Sequence, residues 1–351
     1  MAWLKRIGGG LLALIVITYV GSIGFAYWPR AEQPAETLAL PGDLFAEVDG
    51  HRIRYRSWGE HPDQPTVMFL HGFAGTLNAF SKVGPILGED INVVAVDIMP
   101  FGLSDKPVDY DYTFPNQART LARLAEKLGI QELVIAGHSY GGTVASYMAA
   151  NEPIVKKLVL IDPGIQATGV PPFVKHMVWP FRRMGARMFT GWDFRRKFVV
   201  KSFEEPSLID DAFVDELVLG TKMDGYMDGT TSFFSQYMDV EVQWLFDNVK
   251  VPTLLIWGKQ DKNNPPRFGE EMDAALADSR LVVIDQSGHY PHMEQPEQLS
   301  AHVKQFVHKP APAPVAEPAD EPTTGEAPLP IPQPSEIKLV REPADAPEPK
   351  N

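Results

Sequence analysis

The chain contains no cysteine. That rules out a disulfide framework, a cysteine nucleophile and thiolate-held metal. It leaves the compartment open, because a cysteine-free protein tolerates either redox state. Positive charge is also in short supply. The chain has 32 Lys and Arg against 45 Asp and Glu, a formal net charge of −13, so a nucleic-acid partner is disfavoured electrostatically. The C-terminal tail from Lys309 carries eight acidic against four basic residues, which leaves the remainder somewhat closer to neutral. No internal repeat is evident. No histidine and carboxylate spacing resembles a metal site, and neither a metal nor a cofactor is expected. What is present is ordinary for a globular protein: 44% hydrophobic and 22% charged residues over 351 positions, enough for one large core with appendages.

The two ends differ from the middle. Lys5 and Arg6 precede an apolar stretch from Leu11 to Trp28, about the minimum length that spans a bilayer as a helix. Tyr19, Tyr27 and Trp28 lie in or near its far half, where aromatic side chains favour the interface. The expectation is an uncleaved anchor. The alternative is a secretory signal with Gly24-Phe25-Ala26 as the cleavage site. By the positive-inside rule the basic flank stays cytoplasmic and the remainder is periplasmic or extracellular. From Lys309 onward the chain is mostly Pro, Ala and Glu. It is expected to be disordered, with partly polyproline-II character.

Gly137-His138-Ser139-Tyr140-Gly141 lies between an apolar run, Leu133 to Ala136, and a helix-like run, Thr143 to Ala150. G-x-S-x-G between a strand and a helix is a nucleophile elbow, and it requires an acid and then a histidine further along the chain. Both follow strand-like runs: Pro252 to Gly258 leads to Asp261, and Leu281 to Asp285 leads to Ser287-Gly288-His289. Ser139 is then the nucleophile, with His289 as its base and Asp261 orienting the imidazole. His292 competes with His289, and Asp162, after the sixth strand, competes with Asp261. The simplest reading of Asp162-Pro163 is a turn, and of His292 a loop or pocket-rim residue. His51, His61, His176, His302 and His308 read as surface residues, and Asp97 and Asp105 as loop-shaping ones.

Strand-like and helix-like runs alternate from about residue 44 to 308. Arg52 to Trp58 alternates as a half-exposed edge strand does. Thr66 to Leu70, Asn92 to Asp97 and Lys157 to Ile161 are continuous apolar runs, as in strands buried on both faces. Helical stretches such as Thr113 to Leu128 intervene, so the sheet is expected to be mostly parallel and flanked by helices. From about Gly164 to Asn248 no strand-like run occurs. This segment reads as a helical insertion over the carboxyl ends of the strands, where parallel sheets bind ligands.

With His71-Gly72-Phe73 after the third strand, Asp97 and Gly102-Leu103-Ser104 after the fourth, the elbow at Ser139, Asp261, and Ser287-Gly288-His289 followed by Glu294, the chain resembles the α/β-hydrolase superfamily. Its likeness is to the capped esterase, lipase and C–C hydrolase branch. Pro100 departs from the family, which usually has glycine there. The resemblance implies an α/β-hydrolase core over 44–163 and 249–308 with a helical cap over 164–248. A basic flank (1–10), the apolar segment (11–28) and a linker (29–43) precede them, and the Pro-rich tail (309–351) follows. It also implies an oxyanion hole from the backbone N–H groups of Phe73 and Tyr140, and a structuring role for His71 in that loop. Serine at the elbow argues against the epoxide-opening and dehalogenating relatives, which use aspartate.

Phe173, Trp179, Phe181, Phe189, Trp192, Phe194, Phe198 and Phe203 alternate with Lys175, Arg182, Arg183, Arg187, Arg195, Arg196, Lys197 and Lys201. One reading is an aromatic interior with a solvated basic face. The other is a surface that meets anionic lipid. The function expected is a membrane-anchored serine hydrolase acting on esters of hydrophobic acyl chains, of monoacylglycerol or similar type. The alternatives are a C–C hydrolase of ring-cleavage products and a non-catalytic binding module.

Overall fold

The computed structural model of the protein describes residues 2–166, 179–236 and 240–308. Phe173, Lys175 and His176, and the Pro-rich stretch from Lys309, lie outside the described residues. The strands are β1 (Leu44–Val48), β2 (His51–Trp58), β3 (Thr66–Leu70), β4 (Asn92–Val96), β5 (Leu133–His138), β6 (Val155–Ile161), β7 (Thr253–Gly258) and β8 (Ser279–Ile284). They form one eight-stranded sheet in the order β1-β2-β4-β3-β5-β6-β7-β8. Strands β3 to β8 are mutually parallel, and β2 runs antiparallel to both β1 and β4.

Before the sheet come α1 (Ala2–Tyr27) and α2 (Ala35–Leu38). Between strands lie α3 (Val83–Gly88), α4 (Phe114–Lys127) and α5 (Tyr140–Asn151). The long β6–β7 connection carries α6 (Phe181–Met188), α7 (Trp192–Val200), α8 (Asp211–Leu219), α9 (Tyr226–Ser235) and α10 (Val242–Asn248). Next are α11 (Arg267–Ala275), α12 (Pro291–Glu294) and α13 (Pro296–His308). The mostly parallel sheet with flanking helices, and the helical stretch after the sixth strand, agree with the expected fold class.

The continuous apolar runs are explained by burial on both faces. Met68 and Leu70 of β3, Val94 and Val96 of β4, and Leu133 and Ile135 of β5 face one core layer with α4 and α5. Their alternates Val67, Phe69, Val93, Ala95, Val134 and Ala136 face a second layer with α3 and α13. Period-two alternation sends successive side chains to opposite faces, and here both faces are apolar.

The edge-strand expectation for Arg52 to Trp58 is corrected. β1 takes the edge, and β2 lies inside it. Val48 pairs with His51 across Asp49-Gly50, and both turn residues have positive φ, 52° and 82°, the backbone that a two-residue hairpin requires. The alternation along β2 reflects a buried ionic network rather than a wet face. Arg54 is 2% exposed and reaches Asp97 at 2.9 Å and Asp43 at 2.8 Å.

Within α1, Gly10–Tyr27 is long and apolar enough to cross a membrane. Its C-terminal end packs on the start of the helical insertion. The Trp179 indole N–H donates to the Tyr27 hydroxyl at 2.5 Å, and the Arg183 guanidinium lies 4.6 Å from the Tyr27 ring centre. Arg187 donates to the Trp28 carbonyl at 3.2 Å.

Candidate active site

β5 delivers Ser139 to the carboxyl end of the sheet. The residue sits at φ 50°, ψ −116°, an uncommon backbone for a side chain larger than glycine. It is held there by its N–H on the Ile161 carbonyl (3.0 Å) and by its own carbonyl, which accepts from Gly142 and Gly164, both at 2.9 Å. The flanking glycines are required by close approach. A Cβ on Gly137 would lie 2.3 Å from the Gly141 carbonyl oxygen, and one on Gly141 would lie 2.3 Å from that of Leu70. The loop after β3 closes on the serine from the other side, where a Cβ on Gly72 would stand 3.2 Å from Ser139 Cβ.

That loop is fixed by His71, which is fully buried. Its Nδ1 donates to the Gly72 carbonyl at 2.8 Å, and its Nε2 accepts from the Ile98 N–H at 2.9 Å. Burial holds its pKa below the ordinary histidine value. Phe73 follows in a turn closed by Gly75 N–H on the Gly72 carbonyl, 2.9 Å. Tyr140 opens α5. The Phe73 ring packs edge-on to Phe101 and Phe189, at 5.6 and 5.4 Å, and near Phe233 and Phe234. Tyr140 stands 5.8 Å from Phe233. An aromatic wall drawn from the β3 and β4 loops and from the helical insertion therefore lies beside the elbow.

On the other flank, His289 Nδ1 donates to Asp261 Oδ2 at 2.7 Å, both groups being buried. Asp261 Oδ1 accepts from the backbone N–H groups of Asn263 and Asn264, at 2.7 and 3.0 Å. The His289 N–H bonds the Ser202 carbonyl at 2.8 Å, so the helical insertion grips the histidine loop. Glu294 explains its fixed interval. One oxygen accepts from Gly288 N–H (2.8 Å), and the other from Glu204 and Glu205, at 2.6 and 3.1 Å. Phe73, Ser139 and Tyr140 thus stand at the carboxyl ends of β3 and β5, and the Asp261–His289 pair in the loops after β7 and β8, with the His289 carbonyl 2.7 Å from Nε2 of His138, the residue before Ser139.

A family profile described as the alpha/beta hydrolase fold matches residues 65–296. The chain belongs to the α/β-hydrolase family. This hydrolase is 28% identical over 263 residues to the uncharacterized hydrolase YugF of Bacillus subtilis, covering 74% of this chain and 96% of that one. It is 28% identical over 264 residues to a pimeloyl-[acyl-carrier protein] methyl ester esterase of Neisseria meningitidis, covering 72% and 98%. Among solved structures it resembles a bacterial membrane phospholipase A at 27% identity and a TM-score of 0.63, over 87% of this chain and 100% of that one.

Three expectations about the hydrolase change. His292 is not a rim residue. It is fully buried on α12, its ring 5.1 Å from Phe80 and 4.5 Å from His138, and burial pushes its pKa down to about 3. It is a neutral packing group. His292→Ala should therefore destabilise by about 2 kcal/mol or more through the cavity it leaves, while retaining far more ester turnover than His289→Ala. Thermal melting and turnover of the two variants check this.

Asp162 does not merely turn the chain. It is fully buried at φ 42° and accepts from Gly258 N–H at 2.9 Å. An oxygen of Asp162, an oxygen of Asp261 and a nitrogen of His289 all lie within 4.8 Å of one another. The 2.7 Å Asp261–His289 contact is a hydrogen-bond distance, so the trio reads as proton-sharing groups. Arg195, read as part of a basic surface, is 5% exposed. It donates to the Leu217 carbonyl at 2.6 Å and lies 5.5 Å from the Phe189 ring centre.

His138 received no role from the sequence. Fully buried, it donates from Nε2 to the His289 carbonyl at 2.7 Å. Burial, then His292 and His289, hold its pKa well below the ordinary value, so it stays neutral and props the histidine loop from beneath. Its place beside Ser139 in the elbow was the only available signal.

Proposed function

We propose that this hydrolase is a membrane-anchored serine esterase that cleaves esters of hydrophobic acyl chains, of the monoacylglycerol or related lipid type. The observation that carries the reading is the buried Asp261–His289 hydrogen bond beside a strained Ser139 elbow. His289 Nε2 takes the Ser139 hydroxyl proton as the oxygen attacks the ester carbonyl. Backbone N–H groups of Phe73 and Tyr140 hold the oxyanion, a device worth on the order of 10²–10³ in turnover per donor. Collapse of the intermediate expels the alcohol, which leaves with the proton from His289. Water, deprotonated by the same nitrogen, then releases the acid from Ser139. Helices α6 to α10 act as the cap, and the aromatic wall of Phe73, Phe101, Phe189 and Phe233 receives the acyl chain. The likeness to a membrane phospholipase A and to a methyl ester esterase supports an ester substrate, and lipid in particular. A fluorophosphonate should label Ser139, and p-nitrophenyl esters of graded length should be turned over with a preference for longer chains. Absence of both would end the reading.

Membrane association is proposed to have two parts, the α1 anchor and the insertion surface. Arg183 and Arg187 are engaged with α1 and Arg195 is internal, so among the described residues of this cluster the exposed cations are Lys197 and Lys201, with Arg182 and Arg196 half-buried. A chain that begins at Glu32 keeps the Gln33 backbone bonds to Lys222 and Asp224, at 2.9 and 3.0 Å. It should be soluble and keep short-ester turnover. It should still bind anionic vesicles, less so as salt rises, because exposed charges are screened beyond about 8–10 Å near physiological ionic strength. Replacing Arg196, Lys197 and Lys201 with glutamine should reduce vesicle binding and leave short-ester turnover unchanged. Indifference to anionic vesicles at low salt would leave α1 as the sole attachment.

A further inference from the structure

We propose that Asp162 is a positioning residue for the triad proposed above: as a neutral carboxylic acid it donates a hydrogen bond to the Asp261 carboxylate, so that the two side chains carry one negative charge opposite His289. The inference rests on that triad reading for its catalytic consequence, but not for the protonation itself.

The placement of Asp162 is rigid. Its N–H bonds the Ile256 carbonyl at 3.0 Å and its Oδ1 accepts from Gly258 N–H at 2.9 Å, which pins it to the end of β7. Asn264 clamps the two acids together. Its backbone N–H bonds Asp261 Oδ1 at 3.0 Å, while its side-chain amide donates to the Asp162 carbonyl at 2.9 Å and the Pro163 carbonyl at 3.1 Å. A positive φ at a residue other than glycine is strained, and it persists only where the surroundings over-determine it.

Asp162 Oδ2 is buried, and no N–H or O–H donor of the described residues reaches it. What stands against the carboxyl group is Asp261, within 4.8 Å. Two carboxyls that share a buried site repel each other when both are charged, which favours a proton on one of them. Asp261 has the imidazole and two backbone N–H groups to stabilise its charge, whereas Asp162 has one backbone N–H. The groups facing Asp162 are Asp261 from the loop after β7, His289 from the loop after β8, and Glu294 from α12. Burial, and then the Asp261 charge, raise the Asp162 pKa well above the usual carboxylate value, with Glu294 adding in the same direction. The proton therefore resides on Asp162. A hydroxyl at Oδ2 converts an orphaned acceptor into a donor for which the Asp261 carboxylate is the neighbouring acceptor. This limits the freedom of Asp261 to rotate away from His289.

Asp162→Asn reproduces that arrangement with a donor that cannot titrate. Its amide oxygen keeps the Gly258 bond, and its –NH₂ takes the place of the protonated oxygen. In the full chain, turnover at neutral pH should stay within about threefold of wild type, and the acid limb of the kcat/KM profile should not move. A shift of that limb to lower pH would overturn the proposal, since it would mean that an ionised carboxylate beside His289 had been removed. Asp162→Leu, of similar volume and without a donor, should lower kcat about tenfold or more with little change in KM. Wild-type kcat in that variant would overturn the positioning role.

Stability gives a second readout with a defined sign. A carboxyl whose folded pKa is raised binds its proton more tightly in the folded state, so wild type loses stability as pH rises above the unfolded value of about 3.9. The melting temperature of Asp162→Asn relative to wild type should rise between about pH 4 and about pH 7, and a constant difference counts against the proposal. Should either variant fail to fold, carbon-13 NMR of the wild-type chain labelled at aspartate carboxyls decides. One aspartate should remain protonated at neutral pH, and none would overturn the assignment. That measurement is independent of turnover, so it can fail or succeed separately from the triad.

Discussion

Ser139→Ala should reduce ester turnover by on the order of 10⁶, the scale seen when a serine nucleophile is removed from a working triad, while the circular dichroism spectrum stays that of the wild type. The structural half of this expectation follows from how the elbow is held. The bonds that position residue 139 among the described residues belong to its backbone: the N–H on Ile161, and the carbonyl shared by Gly142, Thr143 and Gly164. Alanine keeps all of them, and at φ 50° it carries the same backbone strain as serine. The glycines at 137 and 141, where a Cβ would collide with main chain, are untouched. The chemical half follows from the loss of the hydroxyl oxygen proposed to form the acyl bond. Turnover of p-nitrophenyl butyrate and fluorophosphonate labelling measure it, with melting temperature as the control. Substantial turnover in a folded Ser139→Ala protein would remove the nucleophile assignment and the acyl-enzyme mechanism with it.

What was legible in the sequence was whatever local pattern dictates. β3, β4, β5, β6 and β7 announced themselves as unbroken apolar runs because both faces of each are buried. The elbow was legible because close backbone approach at Gly137 and Gly141 admits no other residue. β1 was implied by the strand count but given no bounds, because five residues, half-exposed on an edge, carry little periodicity. The Asp49-Gly50 hairpin turn that announces it was present and unread. The errors at β2 and Arg195 share a cause. Alternating or clustered basic residues were taken for solvent-facing ones, yet Arg54 and Arg195 lie inside, one on Asp43 and Asp97 and the other on the Leu217 carbonyl. Partners 11, 43 and 22 residues away leave no local trace. His138 and Asp162 were opaque for the same reason. Their significance comes from the His289 carbonyl and the Asp261 carboxylate, which only the closed sheet brings to them.

Asp261→Asn should lower kcat by about 10⁴ with little change in KM for a short ester, a loss of the size produced when a triad imidazole is held in the wrong tautomer. The hydrogen bonds around the acid dictate which way the new amide points. Oδ1 accepts from the N–H groups of both Asn263 and Asn264, so the amide oxygen must occupy that position. The –NH₂ then faces His289 Nδ1, where a carboxylate oxygen had accepted. Two N–H groups cannot share that contact. The imidazole has to offer Nδ1 as an acceptor and move its proton to Nε2, the atom that should take the proton of Ser139. The ring remains in place, held by the backbone at Ser202 and by Glu294 on Gly288, so substrate binding survives while base catalysis does not. His289→Ala should be more damaging, nearly as much so as Ser139→Ala, because it removes the base itself and not only the group that orients it. The converse result, a dead Asp162→Asn enzyme beside an active Asp261→Asn enzyme, would move the acid to the end of β6 and overturn both the triad and the carboxyl pair.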